Sequence, residues 1–475
     1  MRALSKALDI FLPRSAPDAA APLIRKLEHM TEHARNMRFA PGAPLRGTVT
    51  VPGDKSISHR SLMLSALAVG ESRVSGLLEG EDVLATAAAM RALGAQIARG
   101  DDGVWRIHGV GVGALAQPET ALEMGNSGTS VRLLMGLLAS HDLTATFTGD
   151  ASLSARPMGR VTQPLSLMGA QFTTAPGGRL PLTMRGLVPA VPIEYRLPVA
   201  SAQVKSAILL AALNTPGTTR VIEPVPTRDH SERMLKGFGA ALDVETLPDG
   251  TRIISVTGGA ALKPQVLEVP GDPSSAAFPV VAALITPGSD ITVTNVGMNP
   301  TRAGLFEMLR AMGADLTITN ERVVGGEPVA DLVARHSQLT GIDVPPAIVP
   351  SMIDEFPVFF VAAAHAKGVT RTSGLDELRV KESDRLALMA RGLARIGARI
   401  EEQPDGLLIT GNDGAPLGGS ELQPTIAAQL DHRIAMSFAV AGLHTTGGLI
   451  IDDMSPVATS FPGFATLLET LRGGA

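Results

Sequence analysis

Two stretches of the chain are near copies of one another: Val51-Pro52-Gly53-Asp54-Lys55-Ser56 and Val269-Pro270-Gly271-Asp272-Pro273-Ser274. Each reads as a strand stopped by Pro-Gly, then a turn, then a helix of small residues beginning at the Ser positions. A finer repeat runs beneath this duplication. Helical stretches end in a hydrophobic residue plus Gly-Ala at Leu93-Gly94-Ala95, Met168-Gly169-Ala170, Phe238-Gly239-Ala240, Met312-Gly313-Ala314 and Ile396-Gly397-Ala398, with Arg472-Gly473-Gly474-Ala475 a degenerate sixth. Glycine there suits the left-handed residue that closes a helix. Between these points lies a second helix, rich in Ala, Leu and Val, with first turns near Ser56, Gly128, Ser201, Pro273, Asp354 and Asp431, roughly 70 to 80 residues apart. Hairpin signals at Asp102-Gly103, Pro248-Asp249-Gly250 and Pro404-Asp405-Gly406 complete the unit. The chain therefore reads as mixed α/β, six units of strand, buried helix, hairpin and amphipathic helix.

Because the Pro-Gly-Asp turn recurs after three units, the expected division is two three-unit domains, 54–268 and 38–53 with 269–475. The two turns would be the crossings between them, and few contacts across such a hinge imply relative motion. Residues 1–37 lack the pattern and read as an N-terminal extension, mobile around Pro13, Pro17 and Pro22, with Met37 a candidate alternative start. Arg2, Lys6 and Arg14 suggest a targeting segment, but Asp9, Pro13 and Asp18 interrupt its apolar centre.

Composition excludes several classes. Lys and Arg number 41 against 46 Asp and Glu, a net charge of −5, so there is no global basic field for nucleic acid and any anion site must be local. The absence of cysteine removes disulfides, thiolate metal sites and a thiol nucleophile. No apolar run reaches the ~18 residues of a membrane span.

Chemistry is expected at the helix starts, where unpaired N–H groups and a partial positive charge suit phosphate or carboxylate. Lys55, Ser56 and Arg60 open one, Asn126, Gly128, Thr129 and Arg132 the next, and Ser201, Ala202, Gln203 and Lys205 the third. Asp354 and Glu355 open the fifth, and Asp431, His432 and Arg433 the sixth. Arg156, Arg160, Arg228, Arg302, Arg379, Lys381, Glu382 and Arg385 lie near starts of the other helices. Cations there oppose the helix dipole, a conflict that an anionic ligand relieves. Taken singly, each motif is equally well a capped turn. Asp54-Lys55-Ser56 lacks the upstream glycine of a nucleotide phosphate loop, and His432 has no second histidine at metal spacing.

Six motifs together resemble the 5-enolpyruvylshikimate-3-phosphate synthase family, most closely its second bacterial class. They are Pro52-Gly53-Asp54-Lys55-Ser56-Ile57-Ser58-His59-Arg60, Gly125-Asn126-Ser127-Gly128-Thr129, Arg156-Pro157-Met158-Gly159-Arg160, Ser201-Ala202-Gln203-Val204-Lys205-Ser206, Arg379-Val380-Lys381-Glu382-Ser383-Asp384-Arg385 and Asp431-His432-Arg433-Ile434-Ala435-Met436. The resemblance implies an inside-out α/β fold of two three-unit domains closing over phosphoenolpyruvate and shikimate 3-phosphate. It further implies enolpyruvyl transfer without metal or cofactor, in a cytoplasmic monomer with no nucleic-acid or membrane partner. By motif, Lys55, Ser56, Arg60, Ser201, Ala202, Gln203, Arg228, Asp354 and Lys381 would hold shikimate 3-phosphate. Lys55, Asn126, Gly128, Arg160, Gln203, Arg385, His432 and Arg433 would hold phosphoenolpyruvate. Glu382 is expected to move the proton at the methylene carbon and Asp354 to act as base for the 5-hydroxyl, with Lys381 and Lys55 assisting.

Two departures stand out against the enterobacterial pattern: Thr459-Ser460-Phe461-Pro462 lacks the lysine expected before Thr-Phe-Pro, and Glu377 replaces an amide. Gly128 stands where glyphosate-tolerant members tend to carry alanine. A UDP-amino-sugar enolpyruvyl transferase is disfavoured by the missing cysteine loop, and a non-catalytic anion binder by the presence of Asp354, Lys381 and Glu382.

Overall fold

The computed structural model describes residues 36–473; the expected extension lies outside them except for its last two residues. Met37 pairs with Ile451, so the fold begins inside the stretch assigned to that extension.

Six buried helices start where small residues and capping side chains stand together. They are α1 (Lys55–Leu67), α3 (Gly128–Leu138), α5 (Ala202–Ala212), α7 (Pro273–Ile285), α9 (Phe356–His365) and α11 (His432–Gly442). Asp54, Ser127, Ser201, Asp272 and Asp431 cap five of them, each side chain accepting a backbone N–H of the first turn. Every residue of α7 and α9 is buried, as expected of helices apolar on all faces. Before α9 the chain bends sharply after a short helix, Val349–Met352, so Asp354 and Glu355 occupy a corner rather than a first helical turn.

The alternating amphipathic helices are α2 (Glu81–Ala92), α4 (Gly159–Leu167), α6 (His230–Gly237), α8 (Gly304–Ala311), α10 (Arg385–Arg395) and α12 (Phe464–Leu471). Each is followed by a glycine at positive φ: Gly94, Gly169, Gly239, Gly313, Gly397 and Gly473.

Among the described residues six small sheets clothe the helices. Four share one plan, in which a short strand pairs in parallel with the first of three antiparallel strands, whose third strand lies between the first and the second. The expected hairpins are present, for example Ala241–Thr246 against Arg252–Thr257. Long returns close the arrangement. Val266–Glu268 adds to Gly70–Ser75, and Arg46–Thr50 adds to Asp290–Gly297.

The apolar interior falls into two clusters, one from Ile57 to Val269, the other from Phe39, Leu45 and Val51 together with Ala276 to Leu471. Between them the two Pro-Gly-Asp turns clasp each other: Asp54 N–H donates to Pro270 O (2.7 Å) and Asp272 N–H to Pro52 O (2.9 Å). Arg302 lies buried between the two aspartates, 3.1 Å from Asp54 and 3.0 Å from Asp272. A Cβ on Gly53 would sit 1.9 Å from the Gly76 carbonyl oxygen, so this crossing admits only glycine. Among the described residues no single helix is long and apolar enough to cross a membrane.

Candidate active site

Charged side chains near helix starts on the two apolar clusters meet one another, Arg156 with Glu382 and Arg228 with Asp354. On the second half, Arg385 opens α10 with its side chain 1% exposed. Its Nε donates to Asp431 (2.8 Å) and its Nη atoms reach Glu382 (2.5 Å) and Asp354 (3.3 Å). Arg433, on the first turn of α11, donates to the Asp354 carbonyl (2.8 Å) and lies 3.3 Å from Glu355. Lys381 stands 3.5 Å from Asp354 and 3.0 Å from Glu377. Glu377, the departure from the family amide, is thus the second partner of Lys381.

The first half answers with arginines. Arg228 reaches Asp354 at 2.6 Å and Arg156 reaches Glu382 at 3.5 Å, so both carboxylates are held from both sides. Arg156 also donates to Asn126 Oδ1 (2.8 Å), whose own amide is fixed by Asp150. Arg132, one turn into α3, donates to Gln203 (2.9 Å), and Gln203 to Thr129 (3.1 Å). Over the start of α3 two guanidiniums converge: a Cβ on Gly128 would meet Arg132 Nη1 at 2.7 Å and Arg156 Nη1 at 3.2 Å. No carboxylate lies within ion-pair distance of Arg132 among the described residues. Burial, then the neighbouring Arg156, brings the Arg132 pKa down to about 10. Helix N–H groups and two cations around one point are chemistry that suits an anion.

Lys55 pairs with the Asp82 carboxylate, a partner that no motif announced, and its backbone N–H donates to Asp272 (3.0 Å). Arg60 is buried and spends its donors on Ser231 (2.7 Å), Ser206 (2.7 Å) and the Ser56 carbonyl (2.9 Å). Burial lowers its pKa to about 10 against the opposing pull of Glu232 and Asp54. Ser201 and Ala202 sit half-buried at the start of α5 beside Gln203.

The two arginines of the Arg156–Arg160 motif are placed differently. Arg160 is exposed in the first turn of α4 and makes no ion pair among the described residues, although its charge registers at Arg132. Arg156, on the turn before α4, faces Asn126 and Glu382 instead.

Protonation follows from these neighbours. Burial alone would raise Glu382, but Arg385, then Arg156, with Lys381 a smaller influence, bring it far below the usual glutamate range. Guanidinium groups thus outweigh Lys381. Asp354 is likewise ionised: burial opposes, while Lys381, Arg228, Arg433 and Arg385 lower it strongly. Burial, opposed by Asp431 and aided by Arg433 and Lys55, lowers His432 to about 3, so it is a neutral imidazole.

A family model described as EPSP synthase (3-phosphoshikimate 1-carboxyvinyltransferase) matches residues 39–468. The chain belongs to the EPSP synthase family. It is 67% identical over 436 residues to a 3-phosphoshikimate 1-carboxyvinyltransferase of Novosphingobium aromaticivorans, covering 92% of this chain and 99% of that one. A Zymomonas mobilis relative of the same description is also 67% identical, covering 92% and 97%. Among solved structures, EPSP synthase from Acinetobacter baumannii superposes with a TM-score of 0.82 at 49% identity over 92% of this chain and 98% of that one. The enolpyruvyl transferase NikO from Streptomyces tendae shares the fold, with a TM-score of 0.71 at 17% identity over 92% and 98%.

Proposed function

We propose that this member of the EPSP synthase family transfers the enolpyruvyl group of phosphoenolpyruvate to the 5-hydroxyl of shikimate 3-phosphate and releases phosphate. One observation carries the reading: two half-buried carboxylates, Glu382 and Asp354, each sit between cations from both halves, beside two guanidiniums converging on the start of α3. In this reading 54–268 forms one domain and 38–53 with 269–475 the other, closing over the substrates in a cytoplasmic monomer.

Arg132, Arg156 and the Gly128 N–H take the phosphoenolpyruvate phosphate, and Arg385 and Arg433 its carboxylate. Lys55, Asn126, Gln203 and His432 line the same space. Arg156 assumes the role that the motif alone assigns to Arg160. Lys55, Ser56, Arg60, Ser201, Ala202, Gln203 and Arg228 hold shikimate 3-phosphate, with Asp354 and Lys381 at the ring. The 5-hydroxyl oxygen adds to C2 while C3 takes a proton; C3 then returns it, and phosphate leaves with its bonding electrons. Glu382 carries that proton and Asp354 accepts the one from the hydroxyl.

Both carboxylates are held ionised by cations that the substrates themselves neutralise. Phosphate on Arg156 and carboxylate on Arg385 relieve the depression of Glu382, so its proton affinity rises when the substrate that needs the proton arrives. The arginines stay to stabilise charge on the departing phosphate.

Phosphate release from phosphoenolpyruvate, assayed with and without shikimate 3-phosphate, tests the reading. Release requires both substrates, and Glu382→Gln retains binding while losing on the order of 10²–10⁴-fold in turnover. Release independent of shikimate 3-phosphate overturns the reaction, and undiminished turnover in Glu382→Gln overturns the residue's role.

A further inference from the structure

We infer that Gly80 sets how far the two halves close and is therefore a positioning residue for the phosphoenolpyruvate end of the cleft. The inference rests on the enolpyruvyl-transfer reading, in which two anions enter and leave a buried site. The Arg228–Asp354 and Arg156–Glu382 pairs now span that cleft, so admitting substrates between these side chains requires the halves to part.

Gly80 is the buried residue immediately before α2 on the first half, and it faces the 3₁₀ turn Ser455–Thr459 of the second. A Cβ placed on it would lie 2.7 Å from the Thr459 carbonyl oxygen, 3.1 Å from that carbonyl carbon and 3.3 Å from the Ala458 carbonyl oxygen. All three are backbone atoms, which cannot rotate aside as the end of a side chain can. Conformation does not demand glycine here, since φ −81° and ψ 155° are open to any residue. Nor does capping: Gly80 supplies no side-chain hydrogen bond to α2, and Ser, Asp or Asn would cap it better. What the missing side chain provides is room for the other half.

The contact is tied to the chemistry. Two residues on, Asp82 holds the Lys55 ammonium, and the Asp82 carbonyl accepts from Ser130 Oγ (3.2 Å). Ser130 in turn bonds Ser127, the cap of α3, so the Gly128 turn moves with Gly80. Holding Gly80 off Thr459 carries Lys55 and the α3 start away from Arg385, His432 and Arg433. A displacement of about 1 Å at reacting groups costs on the order of 10²-fold in rate. This turn is also where the family lysine before Thr-Phe-Pro is missing, so here the rim is built on backbone approach.

Gly80→Ala and Gly80→Ser test this, because a packing role and a closure role predict opposite outcomes for the serine variant. Expected are a urea midpoint equal to or above wild type for Gly80→Ser and shikimate 3-phosphate affinity within a few-fold. The kcat/KM for phosphoenolpyruvate falls about 10–100-fold, and X-ray scattering shows reduced compaction when both substrates are added. Gly237→Ala, at an open position with nothing within 4 Å of the new methyl, leaves turnover and compaction unchanged. Wild-type kcat/KM and compaction in Gly80→Ser overturn the inference, as does a loss of stability that parallels the loss of activity. The scattering result scores the contact even where the wild-type chain itself fails to release phosphate, a failure that would sink the enolpyruvyl reading instead.

Discussion

Arg156 and Arg160 stand four residues apart in one motif, but only the first is drawn into the cleft, by Asn126 Oδ1 and by Glu382. Removing a charge-assisted contact to a buried anion costs roughly 1.5–3 kcal/mol, so Arg156→Ala is expected to lower kcat/KM for phosphoenolpyruvate about 10–100-fold. Arg160→Ala should change it less than about threefold, because the exposed group is screened. Steady-state kinetics on the two variants decides between them, and a larger loss in Arg160→Ala restores the motif reading. Gly128 poses a specificity question at the same spot. A methyl there presses on the mobile ends of two guanidiniums, Arg132 at 2.7 Å and Arg156 at 3.2 Å. They yield by tenths of an ångström, which a compact anion tolerates better than the longer glyphosate. Gly128→Ala should therefore raise the glyphosate inhibition constant at least about tenfold more than the KM for phosphoenolpyruvate. Equal shifts in both constants would remove Gly128 from this role.

At the scale of elements, the glycines that end the six amphipathic helices are predicted to be intolerant, and a glycine inside one of those helices is not. Gly397 has φ +95°, and a Cβ would lie 2.2 Å from the Gly418 carbonyl oxygen, so Gly397→Ala should destabilise by about 2 kcal/mol or more. Gly237, the exposed last residue of α6, has free space around it, and Gly237→Ala should stabilise by about 0.5–1 kcal/mol. Urea unfolding of the two variants measures both, and matching signs would refute the cap assignment. These helix ends were legible in the sequence because a C-terminal glycine and an N-terminal cap are local signals. So were the hairpins at Asp102-Gly103 and Asp249-Gly250. The pairing of Val266–Glu268 with Gly70–Ser75 was not, since nothing within a three-residue strand names its partner. The Lys55–Asp82 pair was hidden for the same reason: Asp82 reads as an ordinary first-turn acid on α2 until the fold brings α1 beside it. Which of two arginines turns inward likewise depends on where the α4 turn directs each side chain.

For the whole molecule, burial of ionisable groups sets the acid limit of stability. His59 lies well below its ordinary value through burial, then Lys55 and Arg60; burial, opposed by bonds to the Val361 and His444 carbonyls, brings His365 to about 4; His432 is at about 3. All three are depressed on folding. The unfolded chain therefore binds protons on them below pH 6.5 while the folded chain does not, and stability present above that pH is lost as pH falls toward 4. Each histidine contributes a slope of roughly 1.4 kcal/mol per pH unit across that window. Below about pH 4.5 the depressed carboxylates Glu382, Asp354, Asp431 and Asp54 act in the same direction, because the unfolded chain protonates them first. Urea midpoints should thus decline steadily from pH 6.5 to 4.5, before carboxylate titration steepens the fall. His365 lies on α9 away from the cleft, so His365→Gln isolates one histidine without touching the substrate groups. That variant should keep turnover at pH 7 and flatten the decline between pH 6 and 4.5 by about 1.4 kcal/mol per unit. An unchanged slope would mean that His365 takes up its proton in the folded chain, with its two carbonyl neighbours outweighing burial.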